Sequence, residues 1–354
     1  MRNLLLCTLL LTAAVLAGCD SDDISAPGKS HSEMSQAKGG GGDPLPKLST
    51  AALEETDFPG LPDAAQNFQI TLRFINTPTD DQRAAFETAA SRWQGIIHGD
   101  VLETVGTIPA NGCGPGFPLP AFTGTIDDIM INVLLQPIDG PGSVLGAAGA
   151  CFVRTNDGLP LYGLMFFDVD DLAFLEQNDV LDEVITHEMG HVLGFSGGIF
   201  NLNIPGVFQR NLLANPNTAD PRFLGSVAKA MYTSLGGTLP TVPIEGLPCG
   251  AGTRNSHWDE NTFFNELMTG FLNGASANFV NPLSRMTSAA MKDLGYNAVP
   301  STGENYVLQA SPNPDPCLPA PTATASKKAP PPAGGDGIDI ANREIILDPV
   351  GRVE

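Results

Sequence analysis

At 354 residues the chain is long enough for two domains or for one large unit with flexible ends. Apolar residues at 42% suffice for a packed core, while 39 Gly and 30 Pro call for many loops, so one globular unit of modest secondary-structure content is expected. A formal charge of −21 gives an anionic surface that repels phosphate backbones and argues against a nucleic-acid partner.

The chain opens on Arg2 and an apolar run from Leu4 to Leu16, too short to span a bilayer as a stable helix. It reads as an export signal over 1–18. The run ends in Leu16-Ala17-Gly18-Cys19, which resembles a bacterial lipobox, so Cys19 is expected to carry lipid and anchor the chain to a membrane of the bacterial cell envelope. Residues 19–66 are rich in Ser, Gly, Asp and Pro and read as a flexible tether. After Cys19 this segment has no cysteine, which excludes a thiolate from it as a plug for a metal site.

Folded structure is predicted to start at Phe68, where Phe68, Ile70, Leu72 and Phe74 alternate with polar residues as in a half-buried strand. Thr79 and Gln82 have capping-box spacing, and Phe86, Ala89, Trp93 and Ile97 then recur on one helical face. The run Ile129 to Leu135 and the segment Leu159 to Phe167 are each consistent with a strand; the second is expected to pair with an extended substrate. A helix capped by Asn178 or Asp179 should then run to Gly194, with Leu181, Ile185, Met189 and Val192 as its apolar stripe and Val184, His187, Glu188 and His191 on a neighbouring face. Later helices are predicted over 223–235 and 282–294. Past Pro300 the chain turns Pro-rich, so 301–354 reads as a mostly disordered tail, with one candidate strand at 344–347.

Two histidines four apart, His187 and His191, lie one turn apart on the same side of that helix and can reach one metal ion. Glu188 follows the first ligand and faces the same cleft without aiming at the metal. This is the placement needed to take a proton from a metal-activated water. Catalytic zinc takes three protein ligands and leaves a fourth position open, so a third ligand is required. The compact string of the metzincin peptidases would put it ten residues after His187, where this chain has Gly197. Beyond the signal and tether, only His98 and His257 remain; His98 ends the first helix and reads as a surface or cap residue.

The string HEMGHVLGF, a long insertion, then SHWDENTFFNELMTG and LSRMTSAAMKDLGY together resemble the leishmanolysin family, a metzincin branch with an insertion between its second and third zinc-binding histidines. The resemblance covers about 180–296. It implies zinc ligands His187, His191 and His257, general base Glu188, Gly194 at the helix-ending turn, and Met268 as the methionine of the turn beneath the metal. The implied fold class is α+β: a metzincin-like catalytic domain over 67–300, with a mixed twisted sheet and helices above the active-site cleft (67–195) and a largely irregular lower subdomain (196–300). The implied activity is that of a zinc endopeptidase on protein or peptide substrates. The rival reading is a catalytically silent cell-surface binding or adhesion lipoprotein on the same fold.

Four cysteines remain outside signal and lipobox, and an exported chain is expected to pair them. Of three connectivities, Cys113 with Cys151 and Cys249 with Cys317 closes two loops that do not cross. A calcium site at Asp168, Asp170 and Asp171 is a weaker expectation, since the spacing lacks the remaining loop ligands.

Overall fold

The computed structural model describes residues 54–56, 67–142, 144–272, 280–311, 317, 338–339 and 343–353. The export signal and Cys19 lie outside the described residues. Of the 19–66 tether only Glu54–Thr56 is described, and it forms a short strand, β1, antiparallel to β2 (Ile70–Phe74).

A mixed sheet is the frame. Strand β2 is parallel to β5 (Ile129–Leu135), β5 is parallel to β7 (Pro160–Phe167), and β6 (Gly146–Arg154) runs antiparallel to β7. A hairpin of β3 (Thr104–Ile108) and β4 (Phe122–Ile126) stands apart from this sheet. Every residue of β5 and β7 is buried, because both faces of the sheet are covered. Alternate side chains therefore enter two different cores: Ile129, Ile131, Val133 and Leu135 join the larger one, and Met130 and Leu134 the smaller.

Helix α1 (Asp80–Gln94) starts at the predicted box: the Thr79 hydroxyl accepts from the Gln82 N–H at 3.1 Å, and the Gln82 side chain accepts from the Thr79 N–H at 3.0 Å. Its buried face is Ala85, Phe86, Ala89, Ala90 and Trp93, and the Trp93 indole N–H donates to the Thr186 carbonyl at 2.8 Å. Burying a side chain as large as Phe86 or Trp93 contributes on the order of 3 kcal/mol each. That anchors α1 against α3 (Leu181–Val192), the helix that carries HEMGH.

Two expectations need correction, and one strand was missed. Neither Asn178 nor Asp179 caps α3: Asn178 ends a helix the sequence reading missed, α2 (Val169–Gln177), and Asp179 turns the chain at φ 55° before Val180. Strand β6, also missed, reads GAAGACFVR, whose small residues hide the alternation that reveals a strand. Finally, β7 cannot receive a substrate strand, since β5 and β6 already use both of its edges.

After α3 the regular elements are short. Helices α4 (Ser226–Ser234) and α5 (Arg285–Leu294) pack together, and α5 ends at Gly295 with φ 117°, a left-handed turn that glycine adopts without steric cost. Two disulfides have the expected partners, Cys113–Cys151 with Cα atoms 5.0 Å apart and Cys249–Cys317 at 4.9 Å. Within the Pro-rich tail, β8 (Glu344–Leu347) and β9 (Gly351–Val353) pair parallel with β6, which gives the order β1-β2-β5-β7-β6-β8. Among the described residues no helix is long and apolar enough to cross a membrane.

Candidate metal centre

His187 and His191 leave α3 one turn apart, and His257 meets them from the irregular stretch 66 residues further on. The three Nε2 atoms form a near-equilateral triangle, with separations of 3.0 Å between His187 and His191 and 3.1 Å from each to His257. All three residues are fully buried.

Each ring is oriented by its other nitrogen. The Nδ1–H groups donate to the carbonyls of Leu267 (from His187, 2.7 Å), Phe195 (from His191, 2.6 Å) and Thr253 (from His257, 2.8 Å). A carbonyl only accepts, so every Nδ1 carries a proton, and each ring in its neutral form turns the Nε2 lone pair toward the other two. Three buried lone pairs at 3.1 Å repel one another unless a cation lies between them. A tetrahedral ion with bonds of ~2.0–2.1 Å separates its donors by roughly 3.3 Å, a few tenths of an ångström wider than the triangle here. The residues therefore fit a metal, and three imidazoles are a donor set suited to zinc.

Local sequence explains the convergence. Gly194, at φ 103°, reverses the chain at the end of α3 and brings the Phe195 carbonyl back over His191. Gly190 leaves room beneath the helix: a Cβ there would fall 2.7 Å from both the Met268 sulfur and a Trp93 ring carbon. Met268 is fully buried at that spot, next to Leu267, whose carbonyl holds His187. His257 is fixed by the Glu245 N–H on its carbonyl at 2.9 Å and by its neighbour Trp258, which donates from the indole to Thr287 at 2.9 Å and packs edge-on against Phe195 at 4.9 Å.

Glu188 is 1% exposed, and neither carboxylate oxygen meets an N–H or O–H donor among the described residues. Burial pushes its carboxyl well above the usual carboxylate range, and a second carboxylate beside it, Glu344, adds to the push. Burial would also raise Glu344, but positive charge on the facing imidazoles, His257 first, outweighs it and holds that carboxyl well below the usual range, and the same carboxylate raises His257 against the burial that would lower it. Glu344 Oε1 is 2.8 Å from His257 Nε2, and its Oε2 is 3.4 and 3.6 Å from the Nε2 atoms of His187 and His191.

Sequence reasoning missed Glu344, although it foresaw the strand that begins there; a lone carboxylate in a Pro-rich tail carries no spacing signal. It also missed Glu266. That buried carboxylate accepts from the Ser284 hydroxyl at 2.6 Å, the Thr287 hydroxyl at 2.5 Å and the backbone N–H groups of Ser284 at 3.2 Å and Met268 at 2.6 Å, tying Met268 to the start of α5.

Other expected sites lie elsewhere. His98 is exposed and donates from Nε2 to the Gly95 carbonyl at 2.8 Å, as a residue closing the end of a helix does. The calcium expectation is corrected: Asp168 caps α2 and accepts from the N–H groups of Ile138, Asp139, Gly140 and Asp170. Asp171 accepts from Gly142 and Arg343, so donors rather than a cation already face these carboxylates.

Comparisons with known proteins identify the family. The profile of the family described as leishmanolysin matches residues 97–309, more than half of the chain. The chain is 32% identical over 173 residues to a leishmanolysin homolog of Crithidia fasciculata, a match covering 48% of this chain and 24% of that protein. It is 32% identical over 149 residues to leishmanolysin of Leishmania major (40% and 22% covered) and 28% identical over 186 residues to the human ciliated left-right organizer metallopeptidase (48% and 22%). The matches thus span about a quarter of the length of these relatives.

Proposed function

The chain belongs to the leishmanolysin family, and on that premise we propose that it is a zinc-dependent endopeptidase acting on protein or peptide substrates. The observation that carries this reading is the triangle of Nε2 atoms, each ring with its Nδ1 proton given to a carbonyl. His187, His191 and His257 hold the ion. Zinc held there would supply Lewis acidity toward a scissile carbonyl and toward water, whose pKa it would bring toward ~7.

The remaining work belongs to the chain's own residues. Glu188 sits on the ligand-bearing helix, next to His187, buried and without a donor to neutralise it. It takes a proton from the attacking water and passes it to the leaving amine. Met268 and Trp258 pack beneath and beside the ligands and keep water out from below. The same proposal places the protein outside the cytoplasm, exported by residues 1–18 and held to a membrane of a bacterial envelope by lipid on Cys19.

Casein hydrolysis by purified protein, with and without a chelator, together with metal content, tests the reading. Hydrolysis should stop when the metal is stripped and return with zinc. Glu188→Ala should retain one zinc per chain and lose on the order of 1000-fold in turnover, within the range that one general base contributes. A Glu188→Ala protein near wild-type turnover would refute the mechanism, and full zinc with no cleavage, even by a chain cut ahead of residue 343, would favour the silent binding protein.

A further inference from the structure

The outer edge of the sheet, where β6 would otherwise end it, is covered by the chain's own C-terminal segment. Strand β8 pairs Glu344 with Gly146, Ile345 with Ala147, Ile346 with Ala148 and Leu347 with Gly149, and β9 continues opposite 152–154. Between them the Val350 N–H donates to Cys151 O at 2.9 Å, and ahead of them the Leu145 N–H donates to Arg343 O at 2.6 Å. The fit is close: a Cβ on Gly149 would fall 2.3 Å from the Leu347 carbonyl oxygen. Ile345 and Leu347 join the smaller core, and the Arg343 guanidinium pairs with Asp171.

This docking brings the Glu344 carboxylate, 5% exposed, onto the open side of the histidine triangle. With the three Nε2 atoms it forms one four-donor group whose ligand atoms all lie within 4.8 Å of one another. A catalytic site needs its fourth position free, whereas four protein donors close it. The tail brings a side-chain carboxylate to that position. Its backbone meanwhile takes the hydrogen bonds that an extended polypeptide would make by adding a strand to β6. Residue 344 lies beyond the 97–309 match to the family.

We propose that residues 343–353 are a built-in inhibitor: Glu344 is the fourth ligand of the metal, β8 and β9 occupy the edge that receives an extended polypeptide substrate, and release of the tail opens both together. The inference rests on the metallopeptidase reading and adds its regulation. Covalent attachment holds the carboxylate near the metal at an effective concentration on the order of mM, an advantage that a cut followed by dilution abolishes.

The test uses full-length protein loaded with cobalt, whose absorption reports its ligands, and acetohydroxamic acid as a probe of the fourth position. Three forms are compared: the intact chain, Glu344→Ala, and a chain cut at a protease site placed within 320–336 and then diluted. Glu344→Ala and the cut chain should bind the probe at least ~10-fold more tightly than the intact chain, a difference of about 1.4 kcal/mol, and the cut chain should hydrolyse casein at least ~10-fold faster. Equal probe affinity in all three cobalt-loaded forms overturns the inhibitor. Failure of every form to bind cobalt overturns the metal reading and the inhibitor with it. Tighter probe binding without casein cleavage upholds Glu344 as the donor that closes the fourth position and overturns the peptidase reading, and with it the part of the proposal that has β8 and β9 exclude a polypeptide substrate.

Discussion

Residues 67–195 and 196–300 deliver histidines to one point by different physics. In the first stretch, long strands and helices are set by apolar spacing, and His187 and His191 are placed by helix geometry alone. In the second, two-residue strands and short helices are held by buried polar side chains, and His257 is placed by a network running through Thr253, Glu245, Trp258 and Thr287. A periodic element tolerates the loss of one contact, whereas a network of single ties does not.

The largest expected effect tests whether the second stretch is as essential as the first. His257→Ala should weaken metal binding by more than the roughly 100-fold that loss of an outer partner costs, because it removes a ligand itself. His98→Ala should bind metal like the unaltered protein. Equilibrium dialysis against a graded chelator measures both, and a dispensable His257 beside an essential His98 would undo the assignment. Stripping the metal should also speed amide exchange around 253–258 more than along α3, whose hydrogen bonds do not depend on the ion.

Next in size is Glu266. Burial pushes its carboxyl above the usual range even though four donors favour the charged form, so the group is retained at a cost that only its ties offset. Glu266→Ala leaves two hydroxyls and two N–H groups in want of an acceptor and should destabilise the fold by ~3 kcal/mol, read in a urea titration. The loss should be accompanied by weaker metal binding, since Leu267 orients His187. A Glu266→Ala protein as stable as its parent would mean that the irregular stretch is held by packing, like the rest.

What the sequence disclosed follows the same division. Strands β2 and β5, the box at Thr79 and the helix through HEMGH each rest on spacing within a few residues, so they were legible. Strand β6 was not, because small residues packed on both faces leave no alternation. His257 and Met268 came from resemblance rather than from periodicity; a contact across 66 residues has no local trace. Glu266 and Glu344 had neither kind of signal. Their meaning lies in what surrounds them, two hydroxyls in one case and three imidazoles in the other.

The smallest expected effect is the one most confined to the first stretch. Thr79 is exposed, and its hydroxyl serves only the N-terminus of α1, accepting from Gln82 while Gln82 accepts from Thr79 in return. Thr79→Ala removes one acceptor from a helix end whose first N–H groups have no partner within the helix, and should cost ~1 kcal/mol. Thr79→Ser keeps the oxygen and should be near neutral. Because α1 is otherwise fastened by Phe86, Ala89 and Trp93 in the larger core, the Ala variant should lower the denaturation midpoint without shifting the chelator concentration that strips the metal. Loss of metal in step with that modest destabilisation would show the two stretches to be one cooperative unit, and the contrast between a spacing-built half and a network-built half would not hold.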